Sequence, residues 1–168
     1  MNEVNKIILG IDPGTARMGW GMINYNNISH NYTPVDYGVL ETDAAIEDHL
    51  RLKDLYKALD GLIKKYSPQI IAVEDIFYFK NQKTLITVAQ ARGVALLLAA
   101  NAGKTCYSFT PLQIKQAVTG YGQADKKQVQ TMVKTLLKLE EEPKPDDAAD
   151  ALAVAICCAH SLNMLNKP

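Results

Sequence analysis

The sequence predicts a single α/β domain, residues 1–168, with a mixed sheet of about five strands and helices on its faces. Three observations lead to this prediction. Apolar runs rich in β-branched residues, of which Ile7 to Ile11 is the first, favour buried strands. Three predicted strands follow one another as a meander, and the later ones alternate with helical patterns. A length of 168 residues suits one domain of this kind.

The first half of the chain is predicted to contain three strands and a helix. The first run ends at Asp12, and the turn signal Pro13-Gly14-Thr15 follows, so the second strand returns antiparallel. Tyr and Val residues favour a third strand, in which Pro34 indicates an edge or a bulge. A stripe of Ile and Leu opposite Asp and Lys then indicates an amphipathic helix. The predicted ranges are 18–25 and 29–40 for the second and third strands and 43–66 for the helix.

The second half of the chain alternates strands and helices. The apolar run 70–73 predicts a strand that closes at Glu74, and 105–109 predicts a fifth strand. Residues 84–102 form a helical pattern that is apolar nearly all round, so the helix must cover the sheet and, we expect, a second subunit. Gly103 suits its C-cap. A short helix is predicted to begin at Pro111. The next is predicted to span 126–139 after a cap at Asp125, and the last to span 146–162.

Charge is unevenly distributed although the formal net charge is zero. Residues 76–139 hold 9 basic side chains and a single acid, Asp125. Residues 1–75 hold 7 basic and 11 acidic side chains, and 140–168 hold 2 and 6. Taken alone, a basic segment is more often a solvated lysine face. Between two groups of acids, it indicates a surface that holds a polyanion such as nucleic acid.

The composition predicts a cytoplasmic protein with no membrane partner. The N-terminus, MNEVNK, lacks the apolar region of a signal peptide, and no apolar run is expected to reach the length of a membrane span. The three cysteines, Cys106, Cys157 and Cys158, are too few and wrongly spaced for a disulfide framework or a zinc site. We therefore expect reduced thiols, two of them in the apolar core.

Four acids occupy positions at which a site is expected. Asp12 ends the first strand and Glu74 the fourth, and sites in α/β sheets form at strand ends. Asp147 and Asp150 lie at i and i+3, on one face of the last helix. Neighbouring carboxylates repel one another and resist burial unless a cation compensates them. Oxygen ligands without Cys or His indicate Mg²⁺ or Mn²⁺, and two such ions would activate water and stabilise the leaving oxygen of a phosphodiester.

These acids also have a purely structural interpretation. Asp12 would cap the turn that follows it. Asp146 or Asp147 would cap the last helix, whose dipole favours acids in its first turn. Spacing alone does not show which acids form a site. Asp146 and Asp150 are also neighbours on the helix, at i and i+4. A second acid, Asp75, directly follows Glu74 at the end of the fourth strand. On these patterns alone, a metal-dependent nuclease and a structural role have even support.

Five segments of the chain resemble, in order, the RuvC family of Holliday junction resolvases. They are ILGIDPGTARMGWGMI, IAVEDIFYFKN, ARGVALLLAA, SFTPLQIKQAVTGYGQADKKQVQTMVKTLLKL and DAADALAVA. Each would be a weak signal alone, but the combination, from Ile8 to about His160, is highly specific. The resemblance implies an RNase H-like fold, a homodimer, two Mg²⁺ per subunit with Mn²⁺ as a substitute, and symmetric nicking of two opposed strands of a four-way DNA junction. It also implies that the protein works with the branch-migration proteins RuvA and RuvB.

The resemblance assigns catalysis and metal binding to particular acids. The four acids of the family fall on Asp12, Glu74, Asp147 and Asp150. The alignment of the DAAD segment makes Asp146 the additional residue, which the spacing alone left open.

A second group of residues is expected to contact DNA. By resemblance, the aromatic wedge of the family falls on Phe77, and its basic contacts fall on Lys115 and Lys126. Phe77 follows Glu74 in a stretch that has left the strand, and loops commonly present binding residues. Because Lys80 lies close by, Phe77 is well placed to stack on an unpaired base. The alternative is that Phe77 packs in the core with its aromatic neighbours.

Two other functions fit parts of the sequence. The strand, Asp-x-Gly-Thr, strand pattern around Asp12 also occurs in phosphotransferases and ATPases of the actin and sugar-kinase type. Those proteins need a second domain of the same kind to close over ATP, and this chain is too short for one. A non-catalytic junction-binding protein would keep the lysines and Phe77, but it would have no use for all four acids.

Overall fold

The structure is a computed structural model that describes residues 4–76 and 82–165. It contains the five predicted strands and five helices. The strands are Asn5–Asp12 (β1), Arg17–Asn26 (β2), Tyr32–Glu41 (β3), Ile70–Glu74 (β4) and Thr105–Phe109 (β5). The helices are Asp48–Tyr66 (α1), Gln82–Asn101 (α2), Pro111–Thr119 (α3), Lys126–Leu137 (α4) and Asp146–Leu165 (α5).

All five strands form one mixed sheet, as the sequence predicts. Its strand order is β3-β2-β1-β4-β5. The first three strands pair antiparallel as a meander, and β4 and β5 are added parallel to β1. The central strand β1 is therefore flanked by β2 on one side and β4 on the other. Strand β3 lies at an edge, and its register shifts near Pro34, opposite Ile23, as expected for a proline at an edge or bulge.

Helix α5 packs on one face of the sheet at backbone distance. A Cβ atom at Gly10 would lie 2.1 Å from the carbonyl oxygen of Ala151. A Cβ atom at Gly19 would lie 2.0 Å from the carbonyl oxygen of Asp147. Glycine is thus required at both positions, because any side chain would push the helix away. Helices α3 and α4 complete this face around a buried core that includes Ile114 of α3.

The opposite face of the sheet carries α1 and α2 on a core of larger side chains. Leu55 and Leu59 of α1 are buried there against side chains of the central strands. Helix α2 packs through one side, while Ile86 and Leu97 on its other side are 58% and 56% exposed. These two residues are 11 positions apart, which is about three helical turns, so they lie on the same side.

Residues Thr84–Asn101 of α2 are long and apolar enough to span a membrane, by length and composition alone. Only 22% of this 18-residue segment is buried within the structure. The expectation that no apolar run reaches this length is therefore wrong. The reason is the pattern noted above: a helix that is apolar on two sides has a composition close to that of a spanning helix. One side of α2 packs on the sheet, and the other is the exposed row that contains Ile86 and Leu97.

Several element boundaries differ by a few residues from the sequence-based expectation, and two of these differences, at the starts of β3 and α1, have visible local causes. Strand β3 begins at Tyr32 rather than Ser29, because the Asn26 side chain accepts the Ser29 backbone N–H and extends the hairpin turn. Helix α1 begins at Asp48 rather than Asp43, because the Asp43 side chain accepts the Ala45 N–H in a preceding turn. Asp and Asn side chains commonly compete with regular structure in this way.

Three predicted cap positions are confirmed. Asp125 caps α4 through a reciprocal capping box with Gln128. Helix α3 opens with Pro111 after the cap residue Thr110. Gly103 follows α2 with a φ of 63°, a left-handed conformation that suits glycine.

Candidate active site

Two acids meet at the ends of adjacent parallel strands. Strands β1 and β4 pair in a register that places Ile11 beside Val73, so Asp12 and Glu74 are the next residues on each strand. Their side chains share a hydrogen bond. The predicted meeting of two strand-end carboxylates is therefore present in the structure.

Helix α5 brings two more acids to the same end of the sheet. Its contact with Gly19 places the start of the helix directly over β2, and Gly19 pairs with Asp12. Asp150 lines a pocket together with Asp12 and Glu74. Asp147 lies beside this pocket, close enough for its charge to act on Asp12. All four predicted acids are thus gathered at one place, although only three of them line the pocket.

Two predicted basic residues complete the pocket. Lys115 of α3 and Lys126 of α4 line the cavity, which has a volume of about 290 Å³. The Nζ atom of Lys126 lies 3.1 Å from Oδ2 of Asp150. Lys115 and Lys126 both act electrostatically on Glu74. The carboxylates and the lysines therefore form a mixed-charge site at the open end of the central strands.

Burial and mutual repulsion raise the pKa values of these acids. Burial, followed by the charges of Glu74 and Asp150, raises the pKa of Asp12 to about 9. Burial also raises the pKa of Glu74, against the opposing effect of the hydrogen bond from Asp12. Burial raises the pKa of Asp150, against the opposing effect of Lys126. Without a compensating cation, the site therefore favours retention of a proton between Asp12 and Glu74.

The two neighbouring acids that the spacing left open have different surroundings. Asp146 has a 62% exposed side chain at the rim, 3.6 Å from Nζ of Lys126. Asp75 is held by Arg92 of α2, whose guanidinium lies 3.1 Å from its Oδ1 atom. Neither residue lines the pocket. These positions agree with the alignment that made Asp146 the additional residue.

The donor chemistry of the pocket fits a divalent cation such as Mg²⁺. Its acidic groups are carboxylates alone, without Cys or His, and burial raises the pKa values of Asp12, Glu74 and Asp150. However, no three His, Cys, Asp or Glu side chains among residues 4–76 and 82–165 are gathered closely enough to hold an ion. Lys126 instead engages Asp150, and Arg17 of β2 lies 3.7 Å from Asp147. The ligand types are therefore right for Mg²⁺, while these two carboxylates are engaged by cationic side chains.

Two predicted DNA contacts, Phe77 and Lys80, lie outside the described residues. They remain predictions of the sequence. Asp75, which precedes them in the sequence, forms an ion pair with Arg92 of α2.

Two residues near the site were missed from the sequence. Arg17, two positions before Gly19 on β2, contacts Asp147, and its only sequence signal is a cation shortly after the Asp-Pro-Gly turn. Thr15 is buried, and its hydroxyl donates to the backbone oxygen of Thr87 on α2 over 2.6 Å. This bond fixes the turn that follows Asp12. Its long-range partner could not be read from local sequence.

The chain is similar to a known protein family over most of its length. Residues 8–158 match the family described as crossover junction endodeoxyribonuclease RuvC. A relative of that name from Caldanaerobacter subterraneus subsp. tengcongensis is 54% identical over 160 residues, which cover 95% of this chain and 96% of the relative.

Solved structures show the same similarity in three dimensions. Thermus thermophilus RuvC in complex with a Holliday junction substrate superposes with a TM-score of 0.88 at 30% identity, covering 95% of this chain and 96% of that one. The yeast mitochondrial Holliday junction resolvase Ydc2 has a TM-score of 0.70 at 18% identity, covering 94% and 79% of the two chains. The latter similarity concerns the fold alone. The predicted RNase H-like α/β fold is confirmed by these superpositions.

Proposed function

Because the chain belongs to the RuvC family of crossover junction endodeoxyribonucleases, we propose that it cleaves Holliday junctions at the pocket lined by Asp12, Glu74 and Asp150, with Asp147 beside it. Family membership makes the chain a metal-dependent nuclease that binds four-way junction DNA and resolves it in recombination and repair. It also favours the nuclease over the ATPase and the non-catalytic alternatives. The observation that supports the site is the convergence of acids from β1, β4 and α5 with two lysines in a single pocket.

The proposed cofactor is Mg²⁺, two ions per subunit, with Mn²⁺ able to substitute. Asp12, Glu74, Asp147 and Asp150 would hold the ions, because they supply only the hard oxygen ligands that these metals prefer. The chemistry supplied by the bound ions is activation of a water and neutralisation of charge at the scissile phosphate. Asp12 must lose its proton to serve as a ligand, so loading of the site is expected to be pH dependent.

The lysines of the pocket have a separate role in holding the DNA backbone. Lys115 and Lys126 face the carboxylates from α3 and α4. Each presents an ammonium group that can pair with a phosphate, and such contacts dominate the affinity of proteins for DNA. Lys126 is bound to Asp150 in this structure, so it must exchange a carboxylate for a phosphate when DNA binds.

The proposed working form is a homodimer, because two opposed nicks require two sites. Its interface would be the exposed apolar row of α2, with Ile86 and Leu97 at either end. A Cβ atom at Gly93, between them, would have open space around it, which permits close approach of a second helix. A two-fold dimer matches the symmetry of a four-way junction. We favour this partner over a membrane, because the exposed apolar surface is one side of a helix that otherwise packs on the sheet.

The remaining partners and the location are proposed on the family resemblance. RuvA and RuvB would deliver the junction, and the cytoplasm is where we expect the protein to act. Phe77 would stack at the crossover and Lys80 would contact the backbone there.

A Phe77→Ala chain should fold normally, lose junction cleavage and recover part of it on junctions whose centre is already unpaired. A large fall in melting temperature with normal cleavage would identify Phe77 as a core residue.

The test of the proposed function is cleavage of a labelled four-way junction by the full chain, with Mg²⁺ and with EDTA. The wild type should nick two opposed strands with Mg²⁺ and neither strand in EDTA. Asp150→Asn should abolish cleavage while the junction still binds, because removal of a negative charge does not weaken attraction to DNA.

Asp146→Asn is the matched control for this test. It makes the same chemical change on the same helix, but at an exposed rim position. The control should cleave at nearly the wild-type rate. Equal losses in Asp146→Asn and Asp150→Asn would show that the pocket has been assigned to the wrong face of α5. Full activity in EDTA would contradict the metal requirement.

A further inference from the structure

Arg17 occupies a position beside the proposed active site to which neither the basic segment nor the resemblance assigns a role. It opens β2, two residues before Gly19, and so extends past the point at which β2 pairs with Asp12. Residues two apart on a strand face the same side of the sheet, so Arg17 shares the face of Gly19, on which α5 packs. Its side chain is 49% exposed at the open end of the sheet.

The two contacts of Arg17 both use a single atom of its guanidinium. Nε lies 3.1 Å from Oε1 of Glu41 and 3.7 Å from Oδ2 of Asp147. The first distance is a hydrogen bond, and the second is a longer ionic contact. Within the described part of the chain, the two terminal amino groups of Arg17 donate no hydrogen bond. These groups form the fork that binds phosphate oxygens in a bidentate manner.

The strand order places Arg17 across the strand-end carboxylates from Lys115. Along the sheet, Asp12 on β1 and Glu74 on β4 lie between β2 and β5. Arg17 is on β2, whereas Lys115 is on the helix that follows β5. The acids are therefore flanked by cations on both sides. A DNA strand that crossed the pocket would therefore meet a cation on each side of the carboxylates.

We propose that Arg17 binds a backbone phosphate of the cleaved strand, on the side of the site opposite Lys115. Glu41 is its resting partner on the neighbouring strand and keeps the guanidinium extended at the rim. This inference rests on the proposed function, because it concerns how the same site holds its DNA. An exposed pair such as Arg17 and Glu41 contributes little to stability, so exchange of Glu41 for a phosphate costs little.

The competing role is that Arg17 only positions Asp147 as a metal ligand. The two roles differ in the absence of metal. A positioning residue affects metal binding and cleavage but has no effect on how junction binding depends on salt in EDTA. A phosphate contact releases a counterion whether or not metal is present.

The experiment measures junction affinity between 50 and 200 mM salt in EDTA, where cleavage does not occur. Arg17→Ala should lower the slope of log affinity against log salt by about 0.9 per engaged site. As salt rises fourfold across this range, the ratio of wild-type to Arg17→Ala junction affinity should therefore fall about 3.5-fold. Arg17→Lys should restore the slope, because it keeps the charge. Lys57→Ala, which removes an exposed cation on α1 at the opposite face, should leave the slope unchanged.

Glu41→Gln provides a second and independent measurement. It removes the resting partner of Arg17 and leaves the guanidinium in place, so the junction should bind at least as tightly as to wild type. An unchanged slope for Arg17→Ala, or weakened binding by Glu41→Gln, would overturn the inference. A slope loss in Lys57→Ala as large as that in Arg17→Ala would also overturn it. If the wild type itself bound no junction, the proposed function would fail rather than the role of Arg17.

Discussion

The two faces of the sheet are packed by different means, and the difference explains where the site lies. On one face, α5 touches the backbone of the strands at glycines 10 and 19, with no side chain between them. On the other face, larger side chains such as Leu55 and Leu59 lie between the helices α1 and α2 and the sheet. Contact between backbones leaves no side chain whose rotamer could change, so it fixes the position of α5 more closely. The acids that must converge are carried on the face with the closer packing.

The comparison also shows what each face leaves exposed. The α5 face exposes a charged pocket at its open end, where Lys115, Lys126 and the carboxylates meet. The α2 face exposes apolar side chains, of which Ile86 and Leu97 are the largest examples on that helix. One face is thus equipped for a polyanion and the other for an apolar partner. The proposed catalytic pocket and the proposed dimer interface therefore lie on opposite sides of the sheet.

The largest expected effect is that of a methyl group inserted on the close-packed face. In Gly19→Ala the new Cβ would lie 2.0 Å from the Asp147 carbonyl oxygen, so α5 must move. We expect a loss of about 1–3 kcal/mol in the free energy of unfolding. Cleavage should fall about 100-fold or more, because displaced catalytic groups lose that much. Denaturant melts and junction cleavage rates would measure both effects.

Gly61→Ala on α1 is the matched control for this substitution. A Cβ atom there would meet nothing within 4 Å, and the position lies in the middle of α1 on its exposed side. The change should stabilise the chain by up to about 1 kcal/mol and leave cleavage unchanged. Equal effects of the two substitutions would remove the distinction between the faces.

The next effect concerns assembly through the apolar face. Leu97→Glu places a charge in the exposed row of α2 and should convert a dimer into a monomer by light scattering. The melting temperature should change little when measured where the wild type is also monomeric. The Leu97→Glu chain should nick single strands of the junction slowly, whereas the wild type should nick two opposed strands together. Ile28→Glu, at a 72% exposed apolar position on the hairpin between β2 and β3, is the control that should remain dimeric.

A third prediction uses the raised pKa of Asp12, which is about 9. The native state keeps a proton that the unfolded chain has already lost, so stability falls as pH rises from the ordinary pKa of an aspartic acid towards 9. Asp12→Asn should therefore be more stable than wild type in EDTA, by a margin that grows from pH 5 to pH 9. Melting temperatures across this range would test it. A constant margin would mean that Asp12 is ionised in the native state.

The smallest expected effect is that of a single phosphate contact. Lys115→Ala should lower the slope of log affinity against log salt by about 0.9 per engaged site, and the fold should remain intact. Lys115 is a better subject than Lys126, since Lys126 also pairs with Asp150 and its removal changes two interactions. An unchanged slope would place Lys115 away from the DNA.

The sequence predicted much of the fold because its signals are local. The five strands, the capping residues Asp125 and Thr110-Pro111, and the edge position implied by Pro34 were all visible in short windows. The predicted starts at Ser29 and Asp43 were wrong because side chains extended the neighbouring turns. Local turn chemistry is harder to predict than the existence of an element.

The candidate site was less accessible to sequence reasoning, because its geometry depends on distant contacts. Spacing showed that Asp147 and Asp150 share a helix face, but not that glycines 10 and 19 allow that helix to reach the strand ends. The resemblance selected Asp147 and Asp150 over Asp146, and the exposed position of Asp146 agrees with it. Arg17 was missed because its partners, Glu41 and Asp147, are remote in sequence.

The four carboxylates at the open end of the close-packed face are proposed to bind a divalent cation together. Titration of Mn²⁺ into the purified chain by calorimetry tests this proposal, because the measurement requires neither DNA nor cleavage. Asp12→Asn and Asp150→Asn should each weaken Mn²⁺ binding by more than about tenfold, whereas Asp146→Asn should bind as the wild type does. Wild-type affinity in Asp12→Asn and Asp150→Asn would show that the ion is held elsewhere.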